Sequence, residues 1–127
     1  EDNMFQFPKK QKLCGSSAID TLFEEGSSIA QNYIRVIWKF EENNVDVNLK
    51  SIFIVPKKRI SLAHKRNTIK RRMRESFRMH KKKLELLLEN QNKQMNLAII
   101  YSSQEIKYYN CIDEKINLIL NRLIKEL

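Results

Sequence analysis

Residues 33–40 alternate strictly, with Ile34, Val36, Trp38 and Phe40 on one face and Tyr33, Arg35, Ile37 and Lys39 on the other. That is the period of a strand with one wetter side, and it predicts a core on the even face. Upstream, Ile19, Leu22 and Phe23 share a helical face, Ser16 or Ser17 can cap that short helix, and Gly26 can end it in the left-handed conformation. Downstream, residues 41–44 read as a turn and 45–55 as a β-prone run bent near 48–51. Pro56, which has no backbone donor, marks the end of that run. A long helical pattern over 61–89 leads to a polar loop at 90–94 and then to the short apolar run 95–101, a buried strand. Ser102 and Ser103 are plausible caps for a last helix in which Ile112, Ile116, Ile119, Leu120, Leu123 and Leu127 recur at helical spacing. The predicted order is αββαβα, an α+β two-layer sandwich with three strands clear from pattern.

The chain has 127 residues, 42% of them hydrophobic, and only 2 Gly and 2 Pro, so one globular domain over 1–127 is expected. No apolar run approaches the roughly 18 to 20 residues of a membrane span, and the opening Glu1-Asp2-Asn3 is not a signal peptide. Cys14 and Cys111 sit in no zinc-binding or C-x-x-C spacing, so both are expected to be reduced, packed thiols. A soluble cytoplasmic protein with no membrane partner is the expectation. The sequence starts without Met, so its ends need not be the natural termini.

Charge sharpens this picture. The net charge of +9 points to a polyanionic partner, and its distribution is uneven. Residues 57–83 hold 13 Lys and Arg against one acid, Glu75, a local net of +12, whereas the rest of the chain has a net of −3. Winding the central helix at about 100° per residue from Ile69 puts Met73, Phe77, His80 and Leu84 on one stripe between about 20° and 80°, with Ser76 beside it. Lys70, Lys81, Arg74, Asn67, Arg78, Arg71 and Lys82 fall between about 100° and 220°. Like charges at i,i+4 repel, and a merely solvated face is usually laced with Glu, so this arc reads as a phosphate-binding face. Its Arg residues suit phosphate oxygens through bidentate guanidinium contacts.

Other chemistries fit less well. A protein-only nuclease would need clustered acids or histidines. Here the basic segment contains only Glu75, while Glu24-Glu25 and Glu41-Glu42 lie at a helix end and in a turn. His64 and His80 have no carboxylate or Cys at ligand spacing, which favours packing or an RNA contact over catalysis. A ribosomal or other structural RNA-binding protein without a role in cleavage would share the basic patch.

The string Ala63-His64-Lys65-Arg66-Asn67-Thr68-Ile69-Lys70-Arg71-Arg72-Met73-Arg74-Glu75-Ser76-Phe77-Arg78 resembles the signature of the bacterial ribonuclease P protein family, R-N-R-x-K-R-x-x-R-E. Upstream, Ile54-Val55-Pro56-Lys57-Lys58 is similar to that family's strand ending in two lysines. Phe23, Gly26 and Ala30 extend the likeness to the first helix and strand. One position departs: Thr68 stands where the family has a second Arg, which removes a cation, while Arg72 adds one on another side of the helix at about 300°.

The resemblance implies a four-stranded mixed sheet with a left-handed βαβ crossover through the basic helix, against the usual hand. It also implies a protein subunit of ribonuclease P that binds a catalytic RNA and supports removal of the 5′ leader from precursor tRNA, with no catalytic residue in this chain. Contacts to the RNA are then expected from Lys57, Lys58, Arg66, Asn67, Lys70, Arg71, Arg74 and Arg78. A leader cleft is expected from Ile19, Phe23 and Ile37 with Arg35 and Lys39, where Tyr33 can supply a ring. No small-molecule cofactor and no tight metal site are expected in the free protein. Mg²⁺ would act in the RNA–protein complex, with Asn67 near a metal only when RNA is present.

Overall fold

Residues Ile34–Glu41 form the strand that the alternation predicts, with Ile34, Val36 and Trp38 buried and Arg35 exposed. The computed structural model describes Leu13, residues 15–41 and residues 47–127. Residues 8–12, Cys14 and residues 42–46, where a turn and the start of a strand are expected, lie outside them.

The described elements are α1 (Ser16–Glu25), β1 (Ser27–Gln31), β2 (Ile34–Glu41), β3 (Leu49–Ile54), α2 (Ala63–His80), α3 (Lys82–Gln91), β4 (Gln94–Tyr101) and α4 (Tyr109–Glu126). The sheet order is β1-β2-β4-β3. β2 pairs antiparallel with β1 and with β4, while β3 runs parallel to β4, so α2 and α3 form the crossover of a βαβ unit. The fold is α+β with a four-stranded mixed sheet.

β1 is the strand that hydrophobic alternation does not reveal. Its sequence Ser-Ser-Ile-Ala-Gln carries one large apolar residue, and Ile29 alone packs against the main core. Asn32 turns the chain back into β2 with φ of 56°, a left-handed position that Asn tolerates better than most residues.

One face of the sheet carries the main core. Ile34, Val36, Trp38, Leu49, Phe53, Leu97 and Ile99 meet Ile69, Met73 and Phe77 of α2, Leu84 and Leu88 of α3, and Ile112, Ile116, Ile119, Leu120 and Leu123 of α4. The rings of Phe53 and Phe77 pack edge-on with centroids 5.6 Å apart. The other face carries a smaller cluster in which Leu13, Ala18, Ile19 and Leu22 cover Ile37, Ile52, Ile54 and Ala98. β4 is an inner strand covered on both sides: Met95, Leu97, Ile99 and Tyr101 face the main core, while the other face carries Gln94, Asn96, Ala98 and Ile100.

Four local expectations are corrected. The continuous helix expected over 61–89 is two helices with a turn at Lys81. No Pro or Gly breaks it; α3 packs on α4, and the separate helix brings Leu84 and Leu88 to full burial. The N-cap position of α1 is held by Gly15, not by Ser16 or Ser17. Gly26 is extended, with φ of −76°, rather than left-handed. Its role is close approach: a Cβ there would come within 2.5 Å of the Leu22 carbonyl oxygen, 2.7 Å of Ile37 Cγ2 and 2.9 Å of the Trp38 carbonyl oxygen. Ser102 and Ser103 do not cap α4, which starts at Tyr109 after a further loop; Ser103 Oγ instead accepts the Glu105 N–H at 3.0 Å.

Candidate nucleic-acid interface

Pro56 ends β3, and its carbonyl accepts the amides of Arg59 and Ile60, which folds residues 57–59 into a turn with Lys57, Lys58 and Arg59 exposed. The chain then enters α2 at Leu62, with no side-chain cap and no acid in the first turn. The positive end of the helix dipole therefore adds to the lysines beside it. Arg66 braces this entry: its Nη1 donates to the carbonyls of Ile60 at 3.0 Å and Ser61 at 2.7 Å. Thr68 is satisfied locally, its hydroxyl donating to the His64 carbonyl at 3.1 Å.

Along α2 the predicted stripe is buried at Ile69, Met73, Ser76 and Phe77, all 0% exposed, whereas His80 at its end is half-buried. On the opposite side Asn67 and Arg71 are exposed, and Lys70, Arg74 and Arg78 are half-buried. Burial, and next the like charge of Arg71, hold the Arg74 guanidinium below its ordinary pKa. An anion would relieve that crowding. Arg78 is different, because Glu75 grips it with Nη2–Oε2 at 2.9 Å and Nε–Oε1 at 3.3 Å, and this hydrogen bonding raises its pKa. The expected seven-residue arc is also shortened: Lys81 and Lys82 lie beyond α2, and Lys81 pairs with Glu85 at 3.4 Å. Among the described residues, Lys70, Arg71 and Arg74 form the part of the arc with no carboxylate partner.

His80 has a carboxylate partner that spacing along the chain could not reveal. Asp113 of α4 meets His80 Nε2 at 2.9 Å and also accepts from Ser76 Oγ at 2.6 Å. That cluster ties α2 to α4. Among the described residues no group of three His, Cys, Asp or Glu could hold a metal ion. Cys111 is exposed on α4, not packed as expected. No helix of the described residues is long and apolar enough to cross a membrane.

The second surface lies where α1 crosses the other sheet face. Strand pairing sets Arg35 beside Ile100 and Ile100 beside Ile54, and in the next row Ile37 beside Ala98 and Ala98 beside Ile52. Ile19 packs on this face, and Phe23, one turn on, is 43% exposed. Arg35 is exposed and donates to Ser28 Oγ at 3.1 Å. Lys39 shares the face but is drawn to Glu41 at 3.4 Å and Glu25 at 3.8 Å. Tyr33 does not join these residues. It packs against the main core on the other side, edge-on to Tyr101 at 5.6 Å, because the turn at Asn32 places it outside the β2 alternation. Ile54 and Ile100 join this face through strand pairing, which sequence periodicity does not report. Ile54 lies three residues before Lys57, so this surface and the entry to α2 share one end of the sheet.

The profile of the Ribonuclease P family matches residues 7–123. The chain belongs to the ribonuclease P protein family. Members of this family are the RNA-binding protein subunits of a ribonucleoprotein endoribonuclease that processes tRNA, and this chain is such a subunit. It is 26% identical over 119 residues to the ribonuclease P protein component of Porphyromonas gingivalis, covering 94% of this chain and 87% of that protein. With the Legionella pneumophila component it shares 39% identity over 75 residues, 59% of this chain and 63% of the relative. A solved mutant of the Staphylococcus aureus RNase P protein has the same fold, with a TM-score of 0.69 at 21% identity over 91% of this chain and 89% of that one.

Proposed function

We propose that the two surfaces divide the work of a ribonuclease P protein: α2 with the Lys57–Arg59 turn docks on the catalytic RNA, and the face between α1 and β2 holds the 5′ leader of precursor tRNA. The observation that carries the first half is the set Lys70, Arg71 and Arg74, cations without a carboxylate partner among the described residues, on a helix whose opposite stripe buries Ile69, Met73 and Phe77. A rigid face of uncompensated charge gains affinity by releasing counterions from RNA phosphates. Asn67, exposed beside them, can donate to a phosphate or to a metal-bound water held by RNA. Lys57, Lys58 and Arg66 extend the same surface at the helix entry. Arg78 contributes less net charge because Glu75 already neutralises it.

For the second half, Ile19, Phe23, Ile37, Ile54 and Ile100 offer apolar contact to bases, and Arg35 offers a phosphate partner. Phe23 is the aromatic of this set, so stacking rests on one ring. The chain works in the cytoplasm beside its RNA, with catalytic Mg²⁺ held by RNA oxygens and no catalytic group supplied by the protein. Reconstitution tests this reading: added to the cognate ribonuclease P RNA at low Mg²⁺, the protein should bind it and raise the rate of precursor tRNA cleavage. Absence of binding and of any rate gain refutes it.

A further inference from the structure

α2 has a second polar flank that the signature does not use. At about 100° per residue, Lys65 and Arg72 fall near 320° and 300°, on the side turned to α4 and away from Lys70, Arg71 and Arg74. Arg72 reaches across from α2 and donates from Nη1 to the carbonyl of Lys107 in the loop between β4 and α4. That loop is pinned along its length. The Tyr101 hydroxyl donates to the Glu105 carbonyl and accepts the Lys107 N–H at 3.1 Å. Lys107 Nζ pairs with Glu105 at 2.8 Å and lies 5.3 Å from the centre of the Tyr33 ring.

The next residue, Tyr108, is 77% exposed, the most open large apolar side chain among the described residues. Its ring stands at the start of α4, next to a loop backbone held by the Arg72 and Tyr101 hydrogen bonds. A ring presented this way loses little conformational entropy on binding. The loop leaves the sheet beside Tyr33, whose carbonyl accepts the Ser102 N–H at 2.8 Å, at the same end of the sheet from which α2 begins. RNA lying on the basic face of α2 and passing over the helix toward α4 would meet this ring.

We propose that Tyr108 is a stacking platform for an unpaired base of the RNA partner, positioned by Arg72. The inference rests on the RNA-docking role proposed above for α2. Charge favours RNA over a protein partner: Arg72 is cationic and Lys65 lies on the same flank of α2, while Glu75 and Glu105 are paired with cations and Asp113 is engaged by Ser76 and His80. Stacking needs the ring and not the hydroxyl, which sets the pattern of variants.

The experiment measures binding of wild-type, Y108A, Y108F and Y108W proteins to cognate ribonuclease P RNA at fixed salt, with chemical probing of base accessibility in each complex. Y108A should weaken binding about 5- to 150-fold and expose a base that the wild type protects, with an unchanged melting curve. Y108F and Y108W should retain both affinity and protection. R72Q should expose the same base to a lesser degree by releasing the loop. Wild-type affinity and an unchanged accessibility pattern for Y108A would overturn the platform while leaving the α2 reading intact. Failure of the wild type to bind this RNA would overturn both.

Discussion

Arg66, the first arginine of the signature, hydrogen-bonds to the Ser61 carbonyl at 2.7 Å and holds the start of α2 against the turn that carries Lys57 and Lys58. A residue that reads from sequence as a phosphate ligand is therefore also a brace. R66Q should lower the stability of the free protein by about 1 kcal/mol, the scale of a half-exposed side-chain bond. That corresponds to a fall of several degrees in Tm for a domain of this size. Thermal unfolding without RNA checks it; an unchanged Tm would mean that the brace contributes nothing.

Arg71 and Arg74 should behave in the opposite way. They make no ion pair among the described residues, so R71Q and R74Q should leave Tm almost unchanged while weakening RNA binding. Each should also flatten the plot of log affinity against log salt by about 0.7 to 0.9. Titrations at three or more salt concentrations measure this. An affinity loss with the slope intact would show that neither contacts a phosphate.

On the other sheet face, F23A and R35Q should reduce discrimination between precursor tRNA with a leader and mature tRNA without one. The F23A effect is expected at about 1 to 3 kcal/mol if a base stacks on the ring. Binding of both RNAs to the assembled complex gives the difference directly. Equal losses for the two RNAs would remove the cleft from the proposal.

Tyr33 supplies a test of the core. Its hydroxyl is buried with no hydrogen-bond partner among the described residues, and its pKa is pushed up to about 12, first by burial. The folded state thus prefers the neutral phenol, while the unfolded chain ionises near the ordinary value of 10. Stability from this group is complete below pH 10 and declines as pH rises toward 12. Y33F should match or exceed wild-type stability at neutral pH and lose part of the decline between pH 10 and 12. Denaturant unfolding at pH 8 and pH 11 compares the two; an unstable Y33F at pH 8 would mean that the hydroxyl has a partner after all.

Much of this protein is legible along the chain because local periodicity reports which side of an element faces apolar surroundings. Ile34, Val36 and Trp38 declared β2, and Ile69, Met73 and Phe77 declared both the buried side of α2 and, by exclusion, its basic side. The signature from Arg66 to Glu75 carried the family and with it a fourth strand that Ser27–Gln31 is too polar to announce. What periodicity cannot report is contact between residues far apart in sequence. Only the tertiary structure turned Arg72 onto the Lys107 carbonyl and set His80 against Asp113, whereas Arg78–Glu75 and Arg66–Ser61 are local contacts whose formation the structure reports beside the open Lys70, Arg71 and Arg74. Packing on α4 likewise broke the long helix at Lys81, moved Tyr33 to the core side and left Tyr108 outside. Charge and pattern are properties of the chain, whereas the partner each charge finds depends on which elements pack together.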